Sequence, residues 1–222
     1  MSIEKSIGWT DLTCNPIKGK CKLGCWYCYY SGKRGIANRF KVDSKVTLNL
    51  QAFNKLPKTP KKVFLCSTHE IFGDWIPRAW RDEIFWKIEK KFPQHTFQIL
   101  TKLPQNIDRE MPSNVHLGVS VTGFDDLWRF YRIWDVVKYV KVRFVSFEPL
   151  WKGGFSLNGM PLMNWYIVGR LTGHGHKYDP HISQIEHIIK VAKKANRPVF
   201  LKDNLIPIVG QKLVSQYQEF PE

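Results

Sequence analysis

The sequence predicts one α/β domain built on a parallel sheet, either an open sheet or a full or partial barrel, and three observations predict it. Six short segments rich in β-branched and aromatic residues recur along the chain, several of them apolar throughout, as strands buried on both faces of a parallel sheet are. Longer stretches with apolar residues at helical spacing fall between some of them. The 222 residues, 43% hydrophobic and 24% charged, suffice for one large core and are few for two ordinary domains. No repeat, low-complexity tract or Ser/Gly-rich linker marks a boundary, so residues 1–222 are read as a single domain.

In chain order, a short strand is expected near residues 7–10. Further strands are expected at 62–67, 96–101, 115–121, 142–147, 165–169 and 198–202, each running into polar or Gly residues. A helix over 77–91 opens on Pro77, suited to a first turn, and places Trp80, Ile84, Ile88 and Lys91 at helical spacing. A second, over 124–138, sets Leu127, Phe130, Tyr131, Trp134 and Val137 on one stripe, and a third, over 183–195, does the same with Ile185, Ile188, Ile189 and Ala192. Trp80, Trp86 and Trp134 are expected in the core. Chemistry belongs at the C-terminal ends of such strands. There the sequence sets Ser67-Thr68-His69-Glu70, Thr101-Lys102, Ser120-Val121-Thr122, Ser146-Phe147-Glu148-Pro149, Gly169-Arg170 and Lys202-Asp203.

The longest apolar runs, such as 165–168, fall far short of the ~20 residues of a bilayer span, and the opening Met-Ser-Ile-Glu-Lys has no apolar signal core. A cytoplasmic protein without membrane partners is expected. Thirty-four basic residues face 19 acidic ones, for a net charge of +15. Residues 1–62 hold 13 Lys/Arg against 3 Asp/Glu, and residues 63–222 hold 21 against 16, so the excess is +10 in the first part and +5 in the rest. Such a balance fits an anionic partner, whether nucleic acid, acidic lipid or a phosphorylated small molecule; a Lys-rich surface kept for solubility is the plainer alternative. Lys18, Lys20, Lys22, Lys33, Arg34 and Arg39, around the cysteine segment, are the nucleic-acid candidates.

The five cysteines stand at 14, 21, 25, 28 and 66, an odd count with three inside eight residues. That spacing is no disulfide framework and reads as a metal site, Cys21-x3-Cys25-x2-Cys28. The thiolates converge only if the loop folds back, which Gly19 and Gly24 permit. Three protein ligands leave a fourth position for substrate or cofactor, and sulfur-rich ligation suits zinc or an iron-sulfur cluster. Cys14 and Cys66 read as buried small hydrophobes, with a fourth ligand as the alternative for Cys14, seven residues before the motif. Gly173-His174-Gly175-His176 could ligate a metal or be polar loop. Glu148 ends an apolar strand as a hydrogen-bonder to substrate or as a structural partner for a base, and Lys102 and Lys202 also end strands.

Cys21-Lys-Leu-Gly-Cys25-Trp-Tyr-Cys28 resembles the signature loop of radical S-adenosylmethionine (SAM) enzymes. More of the chain is similar to a phage-associated three-Cys-motif family near the spore photoproduct lyases: Ile7-Gly-Trp-Thr-Asp-Leu-Thr, Asn15-Pro16, Phe72-Gly-Asp-Trp-Ile-Pro77, Leu100-Thr-Lys-Leu-Pro104, Leu117-Gly-Val-Ser120, Phe144-Val-Ser-Phe-Glu-Pro-Leu150 and Trp165-Tyr-Ile-Val-Gly169. The resemblance implies a partial (β/α)6 barrel with the cluster loop after its first strand. It implies a 4Fe-4S cluster on Cys21, Cys25 and Cys28, with SAM on the fourth iron and Tyr27 near its adenine. It further implies an electron donor such as flavodoxin or ferredoxin, reductive cleavage of SAM to a 5'-deoxyadenosyl radical, and hydrogen abstraction from a substrate. Ser67, Thr68, His69 and Glu70 occupy the place where many such enzymes carry a Gly-Gly-Glu element that this chain lacks, so they are candidate SAM contacts. Ser120 and Glu148 complete that set, with Glu148 also the catalytic candidate. Cys14 stands where the family has an aromatic. Nucleic-acid modification or repair is the expected activity, with a large substrate or a partner protein covering the open barrel side. The alternative is a zinc- or cluster-containing nucleic-acid-binding protein without turnover.

Overall fold

The indole of Trp9, 1% exposed, is the pivot of the architecture. The protein is described here from a computed structural model over residues 7–151 and 154–222; the Met-Ser-Ile-Glu-Lys opening lies outside the described residues. In chain order the elements are β1 (Leu12–Cys14), β2 (Ile17–Lys18), α1 (Ile36–Arg39), β3 (Thr47–Leu48), β4 (Lys62–Leu65), α2 (Arg78–Lys90), β5 (Thr96–Thr101), β6 (Val115–Ser120), α3 (Trp128–Val136), β7 (Val142–Leu150), β8 (Trp165–Arg170), α4 (Ile182–Lys194), β9 (Val199–Leu201) and α5 (Ile206–Gln216). Seven strands form one sheet in the order β1-β4-β5-β6-β7-β8-β9, and every neighbouring pair is parallel. All their C-terminal ends therefore share one rim. β2 and β3 make a separate antiparallel ribbon beside the cysteine segment.

The sheet curls into a half-barrel. Trp9 meets Phe64 of β4 at 4.8 Å, Phe144 of β7 at 6.0 Å and Trp165 of β8 at 6.1 Å between ring centroids. β4 and β8 are four places apart in the strand order, which in a flat sheet would separate them by about 19 Å. One indole can touch both only if the strands bend around it. The inner core is thus Trp9 with Val142, Phe144, Trp165, Ile167 and Phe200, closing the N-terminal end of the half-barrel. The outer core lies between the sheet and the helices, where Ile84, Phe85 and Ile88 of α2 and Ile185, Ile188 and Ala192 of α4 are buried.

Several sequence expectations need correction. Residues 7–10 form no strand: Gly8 takes φ +83°, breaking the extended run, and the first strand starts at Leu12, with Trp9 turned inward. The sheet has seven strands, and helices fill only some crossovers. Between β5 and β6 the regular structure is a single 3-10 turn, Pro104–Asn106, because Pro104 and Pro112 interrupt that short segment. Residues 154–164 hold no helix either. α3 starts at Trp128, after a separate 3-10 turn at Phe124–Asp126; of the expected stripe Phe130 and, just past the helix, Val137 are buried, and Ile133 takes the inward place between them. Tyr131 and Trp134 are exposed as a result. Trp86 is exposed as well, since Phe85 takes the inward place on α2, whereas Trp80 does pack on the core. Among the described residues no helix is long and apolar enough to cross a membrane.

His116 of β6 is buried, its Nδ1 has no hydrogen-bond partner, and burial, reinforced by Lys141, lowers its pKa to about 4. The ring is therefore neutral in the fold. A pKa depressed below the unfolded value of about 6.5 contributes stability that is complete above that pH and is lost as pH falls toward 4. His69, lowered to about 4 chiefly by burial, acts in the same direction. We expect stability to fall between pH 7 and 4.5, with His116→Gln removing on the order of 2 kcal/mol of that pH dependence. Denaturant melts at several pH values check this; an unchanged acid limb in the variant would assign the effect elsewhere.

Candidate functional site

The cysteine segment runs between β2 and α1 and folds back as its glycines allow. Gly19 has φ +95° and Gly24 φ +75°, and a Cβ on Gly19 would lie 2.2 Å from the Lys45 carbonyl. The loop is wound on itself: Cys28 N–H donates to the Cys25 carbonyl at 3.0 Å, and Cys21 N–H donates to Ser31 Oγ at 3.1 Å. Lys20 is half-buried and holds Asn38 Oδ1 at 2.8 Å, so it braces the loop. Lys18, Lys22, Lys33, Arg34 and Arg39 stand exposed around it.

The three thiols are half-buried, and each sulfur faces a donor. Burial pushes the Cys21 thiol up, and the backbone N–H groups of Leu23 and Glu70 pull it back. Burial also raises Cys25, opposed by the charge of Lys102 and by the Tyr27 hydroxyl, which bonds the sulfur. Ser31 N–H donates to Cys28 Sγ at 3.2 Å. Donors aimed at sulfur favour the thiolate over the thiol, and hydrogen bonds to sulfur tune iron-sulfur centres. The donor set therefore fits a sulfur-ligated centre. Among the described residues no three His, Cys, Asp or Glu side chains are grouped to hold a single metal ion. Cys14 and Cys66 are buried in the core, and burial pushes the Cys14 thiol up to about 12.

The loop lies against the segments that follow four strands. After β4, Ser67 Oγ lies 3.1 Å from the Asn15 amide, and the Tyr29 hydroxyl donates to the Ser67 carbonyl at 2.9 Å. Thr68 N–H donates to Asn15 Oδ1 at 3.3 Å. His69 is buried and close to Tyr30. Glu70 is 5% exposed, and its carboxylate accepts from the Thr101 hydroxyl at 2.7 Å, Lys102 N–H at 2.8 Å and Phe72 N–H at 3.2 Å. Burial pushes this carboxyl up, against the pull of those bonds. After β5, Lys102 Nζ stands 6.0 Å from the Tyr27 ring. At the end of β6, Ser120 is register partner to Ser146 of β7; its carbonyl accepts from Arg129, and Ser146 Oγ is buried without a partner. Glu148 pairs with Lys202 across Gly169, where a Cβ would come within 2.8 Å of Lys202 Cδ and 3.5 Å of Glu148 Cδ.

Sequence reasoning missed an aromatic cluster. Trp26 and Tyr27 of the cysteine loop meet Trp151 after β7 and His174 and Tyr178 after β8. The one available signal was Trp26 itself, a large ring between two of the thiols. His174 stands edge-on to Trp26, and His176 pairs with Asp179. A cleft of about 380 Å³ between α2 and residues 109–112 lies near the N-terminal end of β6 and holds none of the predicted site residues.

A family described as a protein of unknown function (DUF5131) matches residues 4–204, nearly the whole chain. The chain belongs to the DUF5131 family. No curated protein matches it. Three solved structures resemble this DUF5131 protein, all of spore photoproduct lyase. One is a cysteine-to-serine mutant, with 13% identity and a TM-score of 0.50 over 76% of this chain and 58% of that one. A mutant with bound AdoMet and dinucleoside spore photoproduct has 11% identity and a TM-score of 0.49 over 76% and 61%. A complex with dinucleoside spore photoproduct has 12% identity and a TM-score of 0.46 over 76% and 58%. The DUF5131 chain thus spans about three-fifths of the length of these structures. The likeness is one of fold, and the curled parallel half-barrel is consistent with a radical SAM-type partial barrel.

Proposed function

We propose that this DUF5131 protein is a radical SAM enzyme of the phage-associated three-Cys-motif type that acts on nucleic acid. The observation that carries the reading is the thiol triad, three half-buried sulfurs each facing a donor, in a loop packed over the C-terminal rim of a parallel half-barrel. A 4Fe-4S cluster held by Cys21, Cys25 and Cys28 would supply the electron that cleaves SAM to methionine and a 5'-deoxyadenosyl radical. The chain's own part is to bind, orient and exclude water. Tyr27 fixes Cys25 and offers its ring to the adenine. Lys102, between Glu70 and the Tyr27 ring, meets the SAM carboxylate. Glu148, anchored by Lys202 through Oε1, is left with Oε2 to accept from a ribose or substrate hydroxyl. Ser120 and Ser146 are register partners buried beneath that rim, and the exposed cations around the loop face phosphates.

Anaerobic reconstitution tests this reading. The protein is expected to bind iron and sulfide rather than stoichiometric zinc and, once reduced, to release 5'-deoxyadenosine and methionine from SAM slowly even without substrate. Full cluster content with no SAM-dependent change in the electron paramagnetic resonance signal and no deoxyadenosine would refute it.

A further inference from the structure

Trp26 is 51% exposed although its ring touches four others. A tryptophan held in so many ring contacts is ordinarily sealed into a core. Here the rings come from three remote segments, the cysteine loop, the residue after β7 and the loop after β8. Trp26 and Trp151 are stacked, with centroids 5.0 Å apart and planes 27° apart. Tyr178 lies 5.2 Å from Trp26 and 5.7 Å from Trp151, and His174 stands edge-on to Trp26 at 5.4 Å. Positive charge borders the stack on the side of Tyr178, where Lys177 Nζ is 4.7 Å from the ring. The supports are firm beneath it. Trp151 N–H donates to the Thr122 carbonyl, Thr122 is held by Asp126 through both its N–H and its hydroxyl, and Asp179, next to Tyr178, pairs with Arg170.

A half-open aromatic stack bordered on one side by a cation is suited to a nucleobase and its phosphate, because every base has a π-face and cations track the backbone. We infer that Trp26, Trp151 and Tyr178 form a stacking platform for an unpaired base of a single-stranded or extruded nucleotide, beside Cys25 at the rim of the half-barrel. This deepens the nucleic-acid part of the proposed function and rests on it. Paired bases present edges rather than faces, so the platform selects unstacked nucleotides. Base stacking and phosphate attraction then make separable contributions to affinity: the first is insensitive to salt, the second is not.

The test compares an oligodeoxythymidylate with an abasic oligomer of equal length and charge, bound to the whole protein without reductant or SAM. The base-bearing strand is expected to bind about tenfold tighter. Trp26→Ala should shrink that ratio to within about twofold, while the slope of log affinity against log salt stays the same, because no phosphate contact is lost. Trp26→Phe should restore most of the ratio. Equal affinity of the wild-type protein for the two strands would overturn the platform without recourse to any variant. A Trp26→Ala ratio equal to wild type would overturn the assignment to this cluster. Neither result depends on SAM cleavage, so loss of the platform leaves the radical SAM reading intact, and absence of deoxyadenosine leaves the binding ratio unaffected.

Discussion

Replacement of any one of Cys21, Cys25 or Cys28 by Ala is expected to leave a folded protein that reconstitutes without brown absorbance and releases deoxyadenosine only at background, whereas Cys14→Ala and Cys66→Ala keep both. The difference follows from where the five thiols lie. A metal ligand must be thiolate, and its affinity includes the cost of deprotonation. Each sulfur of the triad faces a donor able to stabilise negative charge, namely Leu23 and Glu70 N–H, the Tyr27 hydroxyl with Lys102, and Ser31 N–H. Burial raises the Cys21 and Cys25 thiols too, but against hydrogen bonds to sulfur; opposed instead by the charge of Lys18, it prevails at Cys14. Cys14 sits on β1, 2% exposed, with its thiol pushed up to about 12 by burial, and Cys66 N–H is bonded to its carbonyl at 2.8 Å. It stays protonated at neutral pH and acts as a packing group, so its loss should register as about 1 to 2 kcal/mol of stability rather than as lost iron. Iron and sulfide content measured beside a thermal melt separates the two effects. If Cys14 proves as necessary as the triad, the cluster is closed by four thiolates and no position remains open for SAM.

The shape of the cysteine loop was legible because it is local: Gly19 before the motif and Gly24 within it both adopt the positive φ that folding back requires. The strand at Thr96–Thr101 was equally legible, being apolar enough to be buried on both faces. Trp9 was not. Its role as a plug exists only once the sheet curls, and curling is a property of seven strands together. The same holds for the rim. Glu148 and Lys202 could each be placed at a strand end, but their pairing depends on β8 lying between β7 and β9 and on Gly169 having no side chain to separate them. Trp26, Trp151 and Tyr178 are far apart in sequence and meet only through the fold. The stripe on α3 was misread in part for a different reason: a 3-10 turn and an α-helix follow different periods, so one unbroken helix from residue 124 put Tyr131 and Trp134 inward.

Glu70→Ala is expected to destabilise the protein by about 4 kcal/mol, and Glu70→Gln by about half of that. The carboxylate closes the turn after β4 by accepting from Phe72 N–H and ties that turn to β5 by accepting from the Thr101 hydroxyl and Lys102 N–H. Removing it leaves up to three donors in a buried site, each costing about 1 to 3 kcal/mol, less whatever water recovers. Gln retains one acceptor oxygen but turns an amide N–H₂ toward a donor, so part of the loss remains. The consequence reaches the cofactor indirectly, because Glu70 also offers its backbone N–H to Cys21 and its position sets that of Lys102. Glu70 is then a positioning residue, and its substitution should lower cluster content and SAM affinity together, in step with the loss of stability. Denaturant unfolding, iron content and SAM binding, measured on the same preparations of both variants, decide the matter. A Glu70→Gln protein with wild-type stability and full iron that no longer binds SAM would show instead that the carboxylate contacts SAM itself.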